Sequence, residues 1–277
     1  MDKRKLRVLL RHKTAMAGLI ILVLLALFAA GARLLPRSPS DMAAKPLEKP
    51  SSTFLLGTDE LGRDVFTRLC YGGRISLTIG LAAVFVSLLI GIPLGAVSGY
   101  FGGAADFAIS RAVEIMLGIP SLLLAILIAA AMGKGMDTLI LAVGIVGIPQ
   151  FARQVRASVL TLKEQDFVVA SRALGATPLR TLFHDVLPNA LGPIIVLATL
   201  GVGSAILTAA GLSFIGLGLP TGTPEWGEML HAGREEFRKS SHLALFSGLA
   251  ITLAVLAINL FGDGLRDALD PKSEKKA

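Results

Sequence analysis

The chain has 277 residues, of which 53% are hydrophobic and only 17% charged, with a mean hydropathy of +0.69. Soluble domains carry about 25% charged residues, so an ordinary soluble enzyme or binding domain is excluded and a membrane protein is indicated. The net charge of +7 does not point to nucleic acid, because the basic residues gather at the flanks of apolar segments.

In chain order, six Lys or Arg among the first thirteen residues stand directly before an uncharged run, 14–32. That is a cytoplasmic flank under the positive-inside rule. The run is long and no small-residue cleavage site follows it, so a retained anchor is expected rather than a signal peptide. Residues 36–55, with Pro36, Pro39, Pro46 and Pro50, read as an extended outward-facing linker. Thr58 or Asp59 then caps a short helix with Val65, Phe66, Leu69 and Cys70 on one side and Arg63, Asp64, Thr67 and Arg68 on the other. Gly72-Gly73 ends it. The pattern suits a helix lying in the membrane interface, and a plain surface helix would carry it equally well.

Further uncharged runs cover 75–105, 115–133, 138–152, 186–224 and 240–262. A span needs about 20 apolar residues. The 138–152 run continues to about residue 162 if Arg153 and Arg156 snorkel. The 186–224 run exceeds one span and reads as a helix followed by a broken, partly buried, Gly-rich segment. Six spans result, at about 15–36, 75–100, 108–132, 137–162, 187–217 and 243–263: an all-α integral membrane fold. With the N-terminus inside, the C-terminus and the 153–186 loop are inside too, and Lys plus Arg number 16 inside against 11 outside. The chain divides into 1–74 (tail, first span, outward linker), a 75–263 core with a loop at 163–186, and a 264–277 cytoplasmic tail. Gly91, Pro93, Gly95, Gly99 and Pro120 serve either close helix packing or bending.

The loop is the most informative stretch. Residues 164–174 read as one short helix, stopped at Gly175 by a left-handed cap. Thr177 caps a second, with Pro178 at its first position. Leu179, Leu182, Phe183, Val186 and Leu187 form an apolar stripe along it. A jointed polar helix pair between spans is best used as a docking element for a soluble partner.

Catalytic and cofactor chemistry is not indicated. His12, His184, His231 and His242 are scattered, and no Gly-x-x-x-x-Gly-Lys-Ser/Thr loop is present for ATP. Cys70 stands alone, which excludes an intrachain disulfide or a cysteine metal site. No ionisable residue falls mid-span, which disfavours a secondary transporter or channel driven by a buried relay. An integral-membrane enzyme finds no nucleophile–base or metal cluster.

Ala170, Gly175 and Leu187-Pro188 resemble the cytoplasmic loop signature of ABC importer permeases, with Val169, Ser171 and Asp185 departing from it. Leu56-Gly-Thr-Asp-Glu-Leu-Gly-Arg-Asp-Val65 followed by Arg74-Ile-Ser-Leu77 resembles the dipeptide, oligopeptide and nickel branch of that family, as its C-type subunit. So do Gly211–Leu219 with Thr223–Leu230, and Asn259–Pro271, in the same order. The resemblance implies a type I ABC importer-like transmembrane domain with a cytoplasmic coupling helix, in the cell inner (plasma) membrane. It implies a second homologous permease, two ATPase subunits and an extracytoplasmic solute-binding protein as partners. ATP and Mg would belong to the ATPase subunits, leaving this chain non-catalytic, with no cofactor or metal. Coupling to the ATPases would fall on Asp166, Ala170, Ser171, Arg172, Gly175, Ala176 and Pro178, and a gate on Gly211, Ser213, Phe214 and Trp226. The implied cargo is a short peptide, with a nickel chelate or glutathione as alternatives.

Overall fold

The computed structural model describes residues 9, 10 and 12–269, whose regular structure is helical, with no strand beyond two isolated bridges. The basic tail over residues 1–8 and the end of the C-terminal tail, 270–277, lie outside the described residues. The helices are α1 (Lys13–Ala30, extended by a 3-10 turn over Gly31–Leu34), α2 (Val65–Phe101), α3 (Gly103–Leu117), α4 (Ser121–Met132) and α5 (Met136–Leu162). Then come α6 (Asp166–Ala173), α7 (Pro178–Arg180), a π-helical turn (Thr181–Val186), α8 (Leu187–Phe214), α9 (Trp226–Glu235) and α10 (Ser241–Leu269). Among the described residues, five continuous helical segments are long and apolar enough to cross a membrane. The bent pair α3 and α4 makes a sixth if it counts as one broken span.

Helices α2 and α5 form the most extensive helix pair, and α8 packs on both. Their closeness is set by small residues. On α2, Gly91, Gly95 and Gly99 recur every fourth position and face α5. A Cβ on Gly91 would stand 2.7 Å from the Cβ of Phe151, and one on Gly99 2.9 Å from that of Val159. Of the two uses the sequence left open, these glycines therefore serve packing: backbones approach where no side chain intervenes. The hydroxyl of Ser87 crosses the same seam, donating to the Gly144 carbonyl at 2.6 Å. Ile79, Ala83, Val84, Leu139, Ala142, Phe151, Ala205 and Leu212 fill the core where α2, α5 and α8 meet.

Four expected boundaries are corrected. No separate interfacial helix ends at Gly72-Gly73. Asp64, not Thr58 or Asp59, is the cap, accepting from the Phe66 and Thr67 amides, and α2 runs unbroken for 37 residues. At about 1.5 Å per residue it spans roughly 55 Å, well beyond a hydrocarbon core of about 30 Å. Gly72 and Gly73 are helical, and their bare faces receive the Trp226 ring: a Cβ on Gly72 would lie 2.9 Å from its Cδ1.

The third span, expected as one helix over 108–132, is instead α3 and α4 meeting at 91°. Pro120, with φ −52° and ψ 127°, cannot continue the α3 ladder, and its ring pushes Ile119 out of helical geometry.

The fifth span does not begin afresh at Leu187. From Pro178 to Phe214 the chain is one continuous helical segment. The wide turn over Thr181–Val186 comes just before Pro188, which absorbs the proline's clash with the preceding turn. The expected stripe is split accordingly: Leu182 and Val186 are buried, whereas Leu179 and Phe183 are exposed. Helix α10 also reaches Leu269, six residues past the expected 263.

Candidate functional site

The 163–186 loop folds as the residues dictate. Asp166 in the first turn of α6 and Arg172 in its last both complement the helix dipole. Gly175 has φ +85°. Its amide donates to the Arg172 carbonyl (2.9 Å) and the Ala176 amide to the Ser171 carbonyl (3.2 Å). This is a Schellman cap, the closure that a left-handed glycine makes possible. Thr177 then accepts from the Arg180 amide at 3.4 Å, with Pro178 in the first turn of α7.

Two contacts tie α6 to the segment that becomes α8. The Ser171 hydroxyl donates to Asp185 Oδ2 at 2.7 Å, and Val168, fully buried, packs in a cluster with Val155, Val159, Leu182 and Val186. Asn189 Nδ2 donates to the Asp185 carbonyl at 2.6 Å, supplying a donor where the turn is wide. The arm is also fixed to the membrane helices. Lys163 Nζ donates to the Gly99 carbonyl at 3.0 Å, and Arg172 Nη2 to the Lys163 carbonyl at 3.0 Å. The Arg172 guanidinium lies 5.5 Å from the Tyr100 ring centre. The outer face of the arm is apolar and open: Phe167, Val169 and Leu174 are exposed, Leu174 at 89%. Asp166, Ala170, Arg172, Gly175 and Pro178 share that exposure, and Ser171 and Ala176 are half-buried beside it. The seven residues thus form one continuous element.

At the other end of α8, Gly211, Ser213 and Phe214 occupy its last turn, and Trp226 opens α9, which packs against α8. Trp226 is only 1% exposed, and its indole N–H donates to the Leu69 carbonyl at 3.0 Å. Glu225 caps α9 and accepts from Ser76 Oγ at 2.9 Å. Ser213 is fully buried, and among the described residues its hydroxyl has no partner. Phe214 and Gly211 are half-buried. His231 Nδ1 sits 2.7 Å from the Phe214 carbonyl, and the Arg234 guanidinium 5.1 Å from its ring centre.

Charged residues that sequence reading left unassigned hold both ends. Asp59 binds Arg63 Nε at 2.6 Å and Arg68 Nε at 3.2 Å. Both guanidinium groups reach the Gly222 carbonyl, pinning the 36–64 linker to the 216–225 loop. Burial pushes the Glu228 carboxyl above its ordinary range, opposed by a hydrogen bond from the Gly222 amide. Near the other end, Arg156 makes a two-pronged bond to Asp106, at 2.6 and 2.7 Å. Asp106 also accepts from Ser98 and Ser110, so one carboxylate joins α2, α3 and α5. The available signal was spacing: an acid just after one uncharged run and a base just after another.

Residues 91–275 match the family described as binding-protein-dependent transport system inner membrane component. The chain belongs to that family. Residues 3–50 match the N-terminal transmembrane domain of oligopeptide transport permease C. Among curated relatives, the dipeptide transport system permease protein DppC of Alkalihalophilus pseudofirmus is 46% identical, over 95% of this chain and 87% of its own length. The di/tripeptide transport system permease protein DppC of Pseudomonas aeruginosa is 47% identical, over 96% and 90%. The glutathione transport system permease protein GsiD of Pectobacterium atrosepticum is 43% identical, over 96% and 89%. The fold is that of a solved inward-facing methionine ABC transporter, MetNI. That match has a TM-score of 0.60 at 20% identity and covers 73% of this chain and 96% of that one. The chain is thus an ABC importer permease with a type I transmembrane domain.

The Asp106–Arg156 pair gives a direct test. Asp106→Asn alone leaves Arg156 short of its counter-charge and is expected to lower thermal stability of the detergent-solubilised protein. Removing both charges, as Asp106→Asn with Arg156→Met, is expected to recover much of the loss, because the stranded charge is the costly part. Strictly additive losses in a thermal-unfolding cycle would refute the pairing.

Proposed function

We infer that this chain is one of two homologous permeases that together enclose the route of an ATP-driven importer of short peptides. A solute-binding protein delivers the cargo from outside. Two ATPase subunits, which carry the ATP and Mg, dock on the 163–186 arm. The observation that carries this reading is the arm itself: capped at its joint, anchored on α2 and α5, and apolar on its free face. Permease sequence alone makes no energy source, and a rigid arm offers a way to receive one.

The mechanism follows from the contacts. ATPase closure displaces α6, and Val168 and the Ser171–Asp185 bond pass the displacement to the segment that continues as α8. Because that segment has no break between Pro178 and Phe214, movement at the cytoplasmic end reaches Phe214 at the other. Gly211, Ser213, Phe214 and Trp226 then serve as the outer gate region, with Trp226 and Ser213 as its buried pivot and half-buried Phe214 beside them. Support for a peptide cargo comes from the dipeptide and di/tripeptide relatives. The glutathione relative favours glutathione, itself a modified tripeptide, as the second reading.

Both ends of the chain are placed in the cytoplasm, in accord with the basic N-terminal flank. In a Cys70→Ser background, a cysteine at exposed Ser51 should react with an impermeant maleimide from outside intact cells. One at exposed Leu174 should react only after the membrane is opened. The reverse pattern overturns the orientation and the docking of the ATPases with it.

Gly175→Val places a β-branched side chain at a positive φ. Space is open around it, so the strain is in the backbone and local to the joint. Peptide uptake is expected to collapse while the protein still reaches the membrane, with ATP hydrolysis uncoupled from delivery or the ATPases lost. Near-normal uptake in this variant would reduce the arm to a passive connector.

A further inference from the structure

A cavity of about 270 Å³ lies between α2, α3 and α5, lined by Ser98, Ser110, Glu114, Leu117, Arg153 and Arg156 among others. One water needs only about 10–15 Å³ of such space, so the cavity accommodates a solute or the end of one. Its charges can be paired off. Arg156 is bound by Asp106. Glu114 is bound by Arg111 at 3.2 Å. Arg153 remains: it is exposed, and among the described residues it has no hydrogen bond or ion pair. At 1.5 Å per residue it sits about 25 Å along α5 from Met136 and about 14 Å from Leu162. It stands at the flank of the uncharged 138–152 run, on the wall of the cavity. A guanidinium placed so is free to meet an anion that enters the cavity.

We propose that this cavity is a station for the carboxylate of the cargo on its way to the cytoplasm, with Arg153 as its anion-binding group. The proposal rests on the importer reading above. A peptide or glutathione must bring at least one carboxylate through the protein, and an anion stripped of water without a partner meets a steep barrier. A guanidinium matches a carboxylate with two parallel N–H donors. Ser98 and Ser110 are already engaged with Asp106, so the neighbouring ion pair is locked and the site's net charge stays positive. A lipid phosphate is the other anion that such a guanidinium could meet, since Ile109, Val113 and Leu117 also wall the cavity and offer a lipid tail apolar surface; the vesicle composition in the test separates the two.

The test uses the whole transporter, with its binding protein, in liposomes, and follows ATP-driven uptake of Ala-Ala and of glutathione. Arg153→Gln is expected to lower uptake roughly tenfold, the scale of one charge-assisted hydrogen bond. Cargo affinity of the binding protein and co-purification of the subunits should be unchanged, and ATP hydrolysis retained. Arg153→Lys is expected to recover part of the uptake. Uptake by Arg153→Gln equal to the unmodified protein overturns the proposal. So does loss of subunit co-purification, which would give Arg153 to the partner permease. A defect that appears only in vesicles containing phosphatidylglycerol, and not in purely zwitterionic ones, would assign it to lipid and likewise overturn the proposal. No ATP-driven uptake of either solute by the unmodified transporter would instead remove the peptide-cargo reading on which the proposal stands.

Discussion

The close approach of α2 and α5 is the constraint on which the rest of the structure depends. Gly91, Gly95 and Gly99 let two long helices meet backbone to backbone, and in a membrane such packing, rather than apolar burial from water, holds helices together. Each further element is referred to that pair. Ser87 bridges its middle. Asp106 and Arg156 lock α3 to both helices near one end, and Lys163 closes the same end by binding the Gly99 carbonyl. At the opposite end the Trp226 ring fills the space over Gly72 and Gly73, so α9 is seated on α2. Had the glycines of α2 carried side chains, neither lock would meet its partner.

From this frame the arm gains its mechanical sense. A helix of eight residues such as α6 is marginal by itself, and its stability must come from caps and tertiary contacts. The Schellman closure at Gly175, the Thr177 cap and the burial of Val168 supply these. The arm is stiff because its joint is hydrogen-bonded on both sides. It is also directional, because the helical segment that follows runs without a break from Pro178 to Phe214. In the proposed mechanism, displacement received through Val168 and the Ser171–Asp185 bond would then travel along one backbone.

How much of this was legible in the sequence depended on how local each signal was. Gly175, Thr177 and Pro178 act on their own turn, and the joint they predict is the joint observed. The number of apolar crossing segments was likewise readable, because charge thins out across each, with Arg153 and Arg156 at the flank of one. Gly72-Gly73 misled, since a glycine that ends a helix and one that admits an indole ring look alike until Trp226, some 150 residues away, is placed against them. An uncharged run gives length but not straightness, so the 91° bend between α3 and α4 was hidden even though Pro120 was visible. The Asp106–Arg156 pair and the Asp59–Arg63–Arg68 cluster were beyond reach for the same reason: their members are ordinary flanking charges until the fold brings them together.

The central claim is that the arm and α8 move as one body. Spin labels at exposed Leu174 on the arm and exposed Leu191 on α8, in the assembled transporter, measure this by their separation. The account predicts one narrow distance distribution that is the same in the nucleotide-free state and with ATP trapped by vanadate, while the ATPases close. A broad distribution, or one that shifts by several ångströms on trapping, would mean that the joint flexes and that α8 is not driven through it.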